Sequence, residues 1–318
     1  MSEPLEPMRP LPTSSFVSPR MLGIVMVLIG STLWGVSGTA SQQLFQHDGF
    51  SAAWLVDVRM GLSGIVLLVS VVFTQGTPKL WAVWKRPRDA FHLIAFSLAG
   101  LLMVQYSYLA SIHDGNAAMA TFLQYLGPAV ILLYVTLKAR RLPTRIEGVA
   151  LVFALVGTFL LVTNGAWGKV VVPPAAVIWG LISAITLAIY TISPYSLIRR
   201  YGSAPIIGWG MLIGSIGCSM VAPPWQTDHS RFSTGSLILI GFVVVFGTLL
   251  AFYLYLSSTN YITPAETSLI ACMEPLSAAA ASVVWLHTHL GVATVAGGVC
   301  ILITVILLGV KSNATSGN

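Results

Sequence analysis

The chain has 318 residues, of which 56% are hydrophobic and only 8% are charged, and its mean hydropathy is +0.84. Ordinary globular chains carry about 25% charged residues, so this composition predicts an integral membrane protein and leaves no room for a soluble catalytic domain. The net charge of +6 is therefore expected in the loops and does not indicate a nucleic-acid surface.

Apolar segments follow one another between polar breaks, and each is long enough to cross a bilayer as a helix. The predicted spans are residues 21–45, 51–74, 89–111, 116–138, 145–163, 173–197, 204–222, 235–257, 264–286 and 290–310. The proline-rich segment 1–19 and the last residues, 311–318, are predicted to be disordered tails. The fold class predicted is an all-α integral membrane protein with ten transmembrane helices.

Loop charges predict the orientation of these spans. If the N-terminus lies inside, the cytoplasmic segments collect most of the Lys and Arg residues, and the opposite side receives only Lys169 and Arg231. Lys and Arg accumulate in the cytoplasmic loops of membrane proteins. We therefore predict a multi-pass protein of the cell membrane with both termini, 1–19 and 311–318, in the cytoplasm.

An internal repeat relates the two halves of the chain. The segment Tyr106-Ser-Tyr108-Leu returns 147 positions later as Tyr253-Leu-Tyr255-Leu, and the same shift places Pro128 over Pro275. This indicates a duplication, with one five-helix repeat over 20–164 and a second over 165–310. Because five crossings reverse direction, the second repeat is predicted to be inverted, which is the usual architecture of secondary transporters.

Glu274 is the sharpest functional candidate because it lies about ten residues into its predicted span, near the bilayer midplane. An ionised carboxylate there costs on the order of 2.5 kcal/mol or more. Pro275 follows directly and frees the carbonyl of Ala271, which predicts a kinked or locally opened helix. Glu274 is thus a candidate coupling group or counter-ion of a cationic substrate; the alternative is a protonated carboxyl that bonds a neighbouring helix. The first half has Gly127 at the equivalent position.

Asp57 and Arg59 are the other charged residues within an early span. Residues two apart on a helix point in nearly opposite directions, so the two cannot pair with each other. Asp57 either faces a cavity or pairs across helices, and both alternatives stay open. Structural roles are predicted for Arg59, Pro128 and Pro275, with Arg59 anchoring neighbouring helices.

Aromatic and amide side chains at mid-span depth are candidates for the wall of a binding cavity. With one carboxylate, such faces would suit an organic cation through cation–π attraction. The alternative is that these rings pack against neighbouring helices or lipid. The candidates are Trp34, Tyr106, Gln124, Tyr190 and Tyr253.

Several short motifs occur in a fixed order along residues 21–310. They are Leu33-Trp34-Gly35, Arg59, the two Tyr-x-Tyr-Leu segments, Pro128, Glu274-Pro275, and the glycines Gly148, Gly297 and Gly298. This order resembles the drug/metabolite transporter superfamily, specifically its EamA-type members. The resemblance implies a ten-helix inverted-repeat carrier that moves small organic metabolites by alternating access, and it favours export.

The partners predicted are a small-molecule substrate and the lipid bilayer, without a cofactor, metal or nucleic acid; proton coupling and a homodimer stay open. A channel or a lipid-type flippase is the alternative function. Gly35-Val36-Ser37-Gly38 also fits the nucleophile motif of an intramembrane serine protease, but that enzyme needs a histidine base, and the ten-span plan does not suit it. The chain lacks a phosphate-binding Gly-Lys-Ser/Thr loop, which excludes an ATP-driven pump on this chain alone.

Overall fold

A computed structural model describes residues 18–140, 142–164, 172–227, 231–262, 266–267 and 270–316. All regular elements in these ranges are helices. We number the apolar helices in chain order as α1 (Pro19–Gln46), α2 (Ala52–Gln75), α3 (Pro87–Asp114), α4 (Ala117–Lys138), α5 (Arg145–Thr163), α6 (Pro174–Tyr201), α7 (Ser203–Val221), α8 (Thr234–Tyr255), α9 (Met273–Leu286) and α10 (Val292–Ser316).

Nine helices of the described ranges are long and apolar enough to cross a membrane, and α9 is apolar but shorter. A short helix, Thr77–Trp81, and a 3₁₀ turn, Ala82–Lys85, connect α2 to α3. The predicted N-terminal tail lies almost wholly outside the described residues. At the other end, α10 continues to Ser316, through a segment predicted to be a tail, because no glycine or proline interrupts residues 310–316.

Helix starts follow the sequence signals for N-caps. The Ser18 hydroxyl accepts a hydrogen bond from the Met21 N–H, and the Ser51 hydroxyl accepts one from Trp54. Thr144 and Glu147 form a reciprocal capping box at the start of α5. These side chains satisfy backbone donors that the first helical turn leaves without a partner, so the helices begin at defined positions.

Four of the helices are irregular, and the irregularities recur in both halves. α4 is broken at Tyr125 and Leu126 into Ala117–Gln124 and Gly127–Lys138, and α9 starts at Met273 after a turn. Residues 96–102 of α3 and 245–250 of α8 are π-helical. The glycines within them, Gly100 and Gly247, are separated by the same shift that relates the tyrosine motifs.

Contacts between helix ends fix the relative directions of three helices. Near the start of α6, the Ala176 carbonyl accepts a hydrogen bond from Ser111, near the end of α3, at 2.8 Å. At the other end of α6, Tyr201 donates to Asp89 in the first turn of α3 at 2.6 Å. α3 and α6 therefore run antiparallel. Gln46, the last residue of α1, bonds the carbonyl of Gly115, just beyond α3, so α1 and α3 run in parallel.

Glycines bring the helix backbones into direct contact at two places. A Cβ on Gly35 of α1 would overlap the Ser277 hydroxyl and the carbonyl oxygen of Glu274 in α9. In α5 and α10, a Cβ on either Gly157 or Gly297 would lie 2.8 Å from the carbonyl oxygen of the other. Close approach through small residues is the usual way in which membrane helices pack, because lipid supplies no hydrophobic driving force between them.

Candidate functional site

A cavity of about 770 Å³ lies between the helices at the level of the two helix breaks. Its volume falls within the range of small-molecule sites, about 300 to 1,000 Å³. Most of the wall is apolar, and the polar and aromatic side chains in it are Trp34, Ser37, Arg59, Gln105, Tyr108, Gln124, Tyr125, Glu147, Tyr190, Thr191, Phe252, Tyr255 and Glu274. Both halves of the chain contribute, so the cavity lies where the two repeats meet.

Glu274 lies in the first turn of α9 and lines the cavity. The proline that follows it has no N–H, so the Ala271 carbonyl has no helical donor from that position. The Ala271 carbonyl instead accepts from the Glu274 N–H at 2.9 Å and from the Tyr125 hydroxyl at 2.7 Å. The Tyr125 hydroxyl also lies 3.1 Å from Glu274 Oε2. The predicted opening of the helix at Pro275 is thus present, and Tyr125, at the break of α4, bridges the two breaks.

The contact between Tyr125 and Glu274 suits both protonation states of the carboxyl. An ionised Glu274 accepts from the Tyr125 hydroxyl, whereas a protonated Glu274 can donate to the same oxygen while Tyr125 keeps its bond to Ala271. Glu274 is partly accessible, and that accessible surface lines the cavity. A proton or a substrate in the cavity can therefore reach the carboxyl group.

Arg59 links two helices and also lies in the cavity wall. Its Nη2 donates to Gln105 Oε1 at 2.9 Å, which does link α2 to α3. The guanidinium group also forms part of the cavity wall, although only 6% of the residue is exposed. Its Nε has no hydrogen-bond partner among the described residues. A buried donor without a partner costs free energy.

Arg59 and Glu274, two of the three charged residues in the cavity wall, do not form an ion pair with each other. The ion pairs formed within the described residues are Arg20–Glu266, His113–Asp114 and Arg200–Asp89, and none of them includes either group. The cavity therefore presents one cation and one anion that have no ionic partner in direct contact within the described part of the chain.

Three of the five predicted wall residues line the cavity: Trp34, Tyr190 and Gln124. The Trp34 ring lies 5.0 Å from that of Phe252 and 5.1 Å from that of Tyr255. Gln124 donates to the Ser183 hydroxyl at 2.8 Å, which ties α4 to α6. These positions agree with the prediction of an aromatic wall near one carboxylate.

The prediction is wrong for Tyr106 and Tyr253. Tyr106 packs edge-on against Trp179, with ring centroids 5.3 Å apart, and Tyr253 is 65% exposed on the outer surface. The residues two positions later, Tyr108 and Tyr255, line the cavity instead. Side chains two apart on a helix face nearly opposite ways, so only one tyrosine of each Tyr-x-Tyr pair can reach the cavity.

Asp57 does not line the cavity. Its carboxylate accepts hydrogen bonds from Ser215 at 2.5 Å and from Ser219 at 2.7 Å, both on α7. Of the two alternatives left open by the sequence, the geometry favours pairing across helices. Of the two prolines assigned structural roles, Pro275 is buried in the first turn of α9, and Pro128 lies in the cavity wall.

Sequence reasoning missed Tyr125, Tyr108 and Tyr255 as wall residues. The repeat itself contains a signal for the last two, because the shift that relates the halves pairs Tyr108 with Tyr255. For Tyr125 there is no such signal, since the equivalent residue is Cys272.

Ser37, the candidate protease nucleophile, packs directly against Gly247 of α8. The described hydrogen bonds of histidine rings lead elsewhere, from His92 to Ser193 and from His113 to Asp114. The contacts of Ser37 thus give the protease alternative no support.

Apolar helices around an internal cavity, with a charged group of each sign in its wall, define a polytopic membrane protein of the transporter class. The particular family follows from comparison with known proteins. The model of the EamA-like transporter family matches residues 21–163 and 174–310. The chain belongs to this family, within the drug/metabolite transporter superfamily, as the sequence motifs predict.

Two known proteins are similar over nearly the whole chain. The Salmonella typhimurium protein described as an uncharacterized inner membrane transporter, YicL, is 37% identical over 292 residues, which are 91% of this chain and 96% of YicL. A protein of known crystal structure is 14% identical, with a TM-score of 0.60 over 93% of this chain and 98% of its own. The second similarity shows the fold alone. From the family match and the similarity to YicL, the protein is a multi-pass membrane transporter.

Proposed function

We propose that the protein is a secondary active transporter that moves a small organic molecule by alternating access, with Glu274 as the group that couples transport to protons. The observation that carries this proposal is the accessible carboxyl of Glu274 in the wall of the central cavity, at the break that precedes α9. Removal from water penalises the ionised form of a carboxyl group, and either a proton or a cationic group relieves that penalty. The two can therefore compete for one site.

The proposal includes ten membrane crossings arranged as two inverted five-helix repeats, over 20–164 and 165–310. Since α6 runs antiparallel to α3, and α3 parallel to α1, the first helix of the second half runs opposite to the first helix of the first half. The paired π-helical segments and the paired helix breaks support the same relation. Broken helices at the interface of repeats are where transporters of this architecture bind substrates.

The asymmetry of the cavity supports alternating access. Its wall follows α4 from Pro128 to Val135 and includes Val305 to Gly309 of α10, toward the ends that the loop charges assign to the cytoplasm. Toward the opposite ends, Gln42 of α1 accepts a hydrogen bond from the Ala117 N–H at 2.9 Å, and Thr39 contacts the Ala278 carbonyl. An inward-facing state that binds substrate from the cytoplasm fits export.

A transport assay on the purified protein tests the proposal. A thermal-shift screen of amino acids, nucleosides, sugars and quaternary amines first identifies a ligand, because a ligand that binds the folded state raises the melting temperature. In proteoliposomes, we expect saturable counterflow of that ligand and its accumulation when a pH gradient is imposed. Flux that never saturates would indicate a channel, and movement of labelled lipid would indicate a flippase; either result would overturn the proposal.

Accessibility of introduced cysteines tests the orientation. In a variant without the three native cysteines, a cysteine at Lys85 should react with an impermeant reagent only in opened cells. A cysteine at Gln226 should react in intact cells, because both positions lie on exposed surfaces at predicted opposite sides of the membrane. Labelling of position 85 from outside would contradict the proposed orientation.

A further inference from the structure

The cavity wall contains a buried cation, Arg59, that has no ionic partner among the described residues. Arg59 has five N–H donors and no acceptor, and its Nη2 donates to the neutral amide of Gln105. Its Nε lacks a partner among the described residues. Buried arginines normally pair with a carboxylate or phosphate, often through two parallel bonds.

The described ion pairs do not include Arg59. Asp57, two residues away on the same helix, accepts from two serine hydroxyls of α7. In the cavity wall, Glu147 accepts from the Thr144 N–H at 2.6 Å, and Glu274 does not pair with Arg59. Removing one partner of a buried pair is costly, so an uncompensated guanidinium in a cavity wall indicates a ligand with a complementary charge.

Glu274 presents the opposite requirement in the same cavity. The contact of its side chain with the Tyr125 hydroxyl leaves acceptor capacity on an ionised carboxylate, which can accept about four hydrogen bonds. The aromatic rings of Trp34 and Tyr255 lie in the same wall. Aromatic faces and a carboxylate together suit an ammonium group.

We propose, on the basis of the function proposed above, that the substrate is a small zwitterion whose carboxylate binds Arg59 and whose ammonium group binds Glu274. A simple organic cation, which the carboxylate and aromatic residues alone would suggest, leaves Arg59 without an anion and meets its repulsion. A simple anion leaves Glu274 without a cation and meets its repulsion. Since the two protein charges are not in contact, the molecule bridges a gap, and its apolar part lies against the apolar wall.

Binding of matched compounds to the purified protein tests this inference. Leucine is compared with 3-methylbutylamine, which lacks its carboxylate, and with 4-methylpentanoate, which lacks its ammonium group. A second set compares 6-aminohexanoate, whose charges are widely spaced, with pentylamine and hexanoate. Unbranched amino acids with a shorter chain between the two charged groups cover the charge separations between leucine and 6-aminohexanoate. In at least one set the zwitterion should bind about tenfold or more tightly than both relatives, because each loses a charge-assisted interaction.

Two variants assign the ends of the molecule. Arg59→Lys keeps the positive charge but loses the planar fork, so binding of the zwitterion and of the acid should weaken while binding of the amine stays unchanged. Glu274→Gln should weaken binding of the zwitterion and of the amine while binding of the acid stays unchanged. The ligand-induced change in melting temperature is measured against the same variant without ligand, so a loss of stability does not imitate a loss of binding.

The outcomes separate this inference from the transporter proposal. If an amine binds the parent as tightly as its zwitterion in every set, Arg59 does not contact substrate and the inference is overturned, while a proton-coupled carrier of cations stands. Equal binding of the acid, or no binding by any zwitterion, also overturns it. Counterflow of whichever ligand the wider screen identifies then tests the transporter proposal independently.

Discussion

Asp57 and Glu274 are both carboxylic acids within apolar helices, and the structure gives them opposite surroundings. Asp57 lies outside the cavity wall, and each of its two carboxylate oxygens accepts a hydrogen bond from a serine hydroxyl of α7. Glu274 lies at a helix break and faces the cavity, with the hydroxyl of Tyr125 as the partner of its side chain. We propose that the partners of an intramembrane acid, more than its depth, decide whether it can exchange protons or bind substrate.

A second comparison, between the two halves, shows how one site arises from a duplicated scaffold. The breaks in α4 and before α9 correspond, but Gly127 occupies the position in the first half that Glu274 occupies in the second. Duplication provides the shape of the cavity, and divergence at single positions provides its charges.

The largest loss of stability is expected from a change at Gly35, where α1 packs against the backbone of Glu274. Gly35→Ala places a Cβ where the Glu274 carbonyl and the Ala278 N–H leave no space, the latter at 2.7 Å. Overpacking against backbone costs about 3 kcal/mol at the upper end of its usual range. Thermal unfolding in detergent should show this loss. In the control Gly148→Ala, the new Cβ meets nothing within 4 Å, and a Gly35 variant as stable as this control would refute the close packing.

A smaller effect is expected from Tyr125→Phe, which removes the hydroxyl shared by Ala271 and Glu274 but keeps the ring. The Ala271 carbonyl keeps its bond from the Glu274 N–H, so the loss is that of an ordinary buried hydrogen bond, about 0.5 to 1.5 kcal/mol. The unfolding free energy should fall by that amount, and the pH profile of transport should shift. Tyr106→Phe is the matched control, since the described contact of Tyr106 is the packing of its ring on Trp179. Equal results for the two variants would exclude the bridge.

The smallest effects concern the aromatic wall. Trp34→Ala and Tyr190→Ala should weaken ligand binding by about 0.5 to 2 kcal/mol each, the range of a cation–π contact. Tyr106→Ala and Tyr253→Ala should leave ligand affinity unchanged, because neither ring lines the cavity. Titration of a ligand against all four variants checks this pattern, and weaker binding to Tyr253→Ala would place the cavity wall elsewhere.

Much of the fold is predictable from sequence because each crossing needs a run of apolar residues, and a duplication leaves matching residues. The helices and the weak points at Pro128 and Pro275 follow from these signals. The sequence does not predict the π-helical segments of α3 and α8, which depend on packing between helices. It predicts α9 as a full span from residue 264, whereas the regular helix begins at Met273.

The candidate site is less predictable than the fold. Glu274 is identifiable from its cost in a membrane and from its proline neighbour. The rotation of each helix about its axis is not identifiable from the sequence. For this reason the sequence predicts Tyr106 and Tyr253 as wall residues, whereas Tyr108 and Tyr255 line the cavity. The place of Arg59 in the cavity wall is not predictable either, because it depends on tertiary contacts that carry no local signal.

The pH dependence of transport, compared between Glu274→Gln and Asp57→Asn, is the strongest test of Glu274 as the group that couples transport to protons. Both changes keep the size and an acceptor oxygen but remove titration. Glu274→Gln should insert normally and still exchange substrate down its gradient, at higher substrate concentration because binding is weaker. It should neither respond to pH nor accumulate substrate against a gradient. Asp57→Asn should keep the pH response of the parent. A Glu274→Gln variant that transports as well as the parent, with the same pH dependence, would contradict the account.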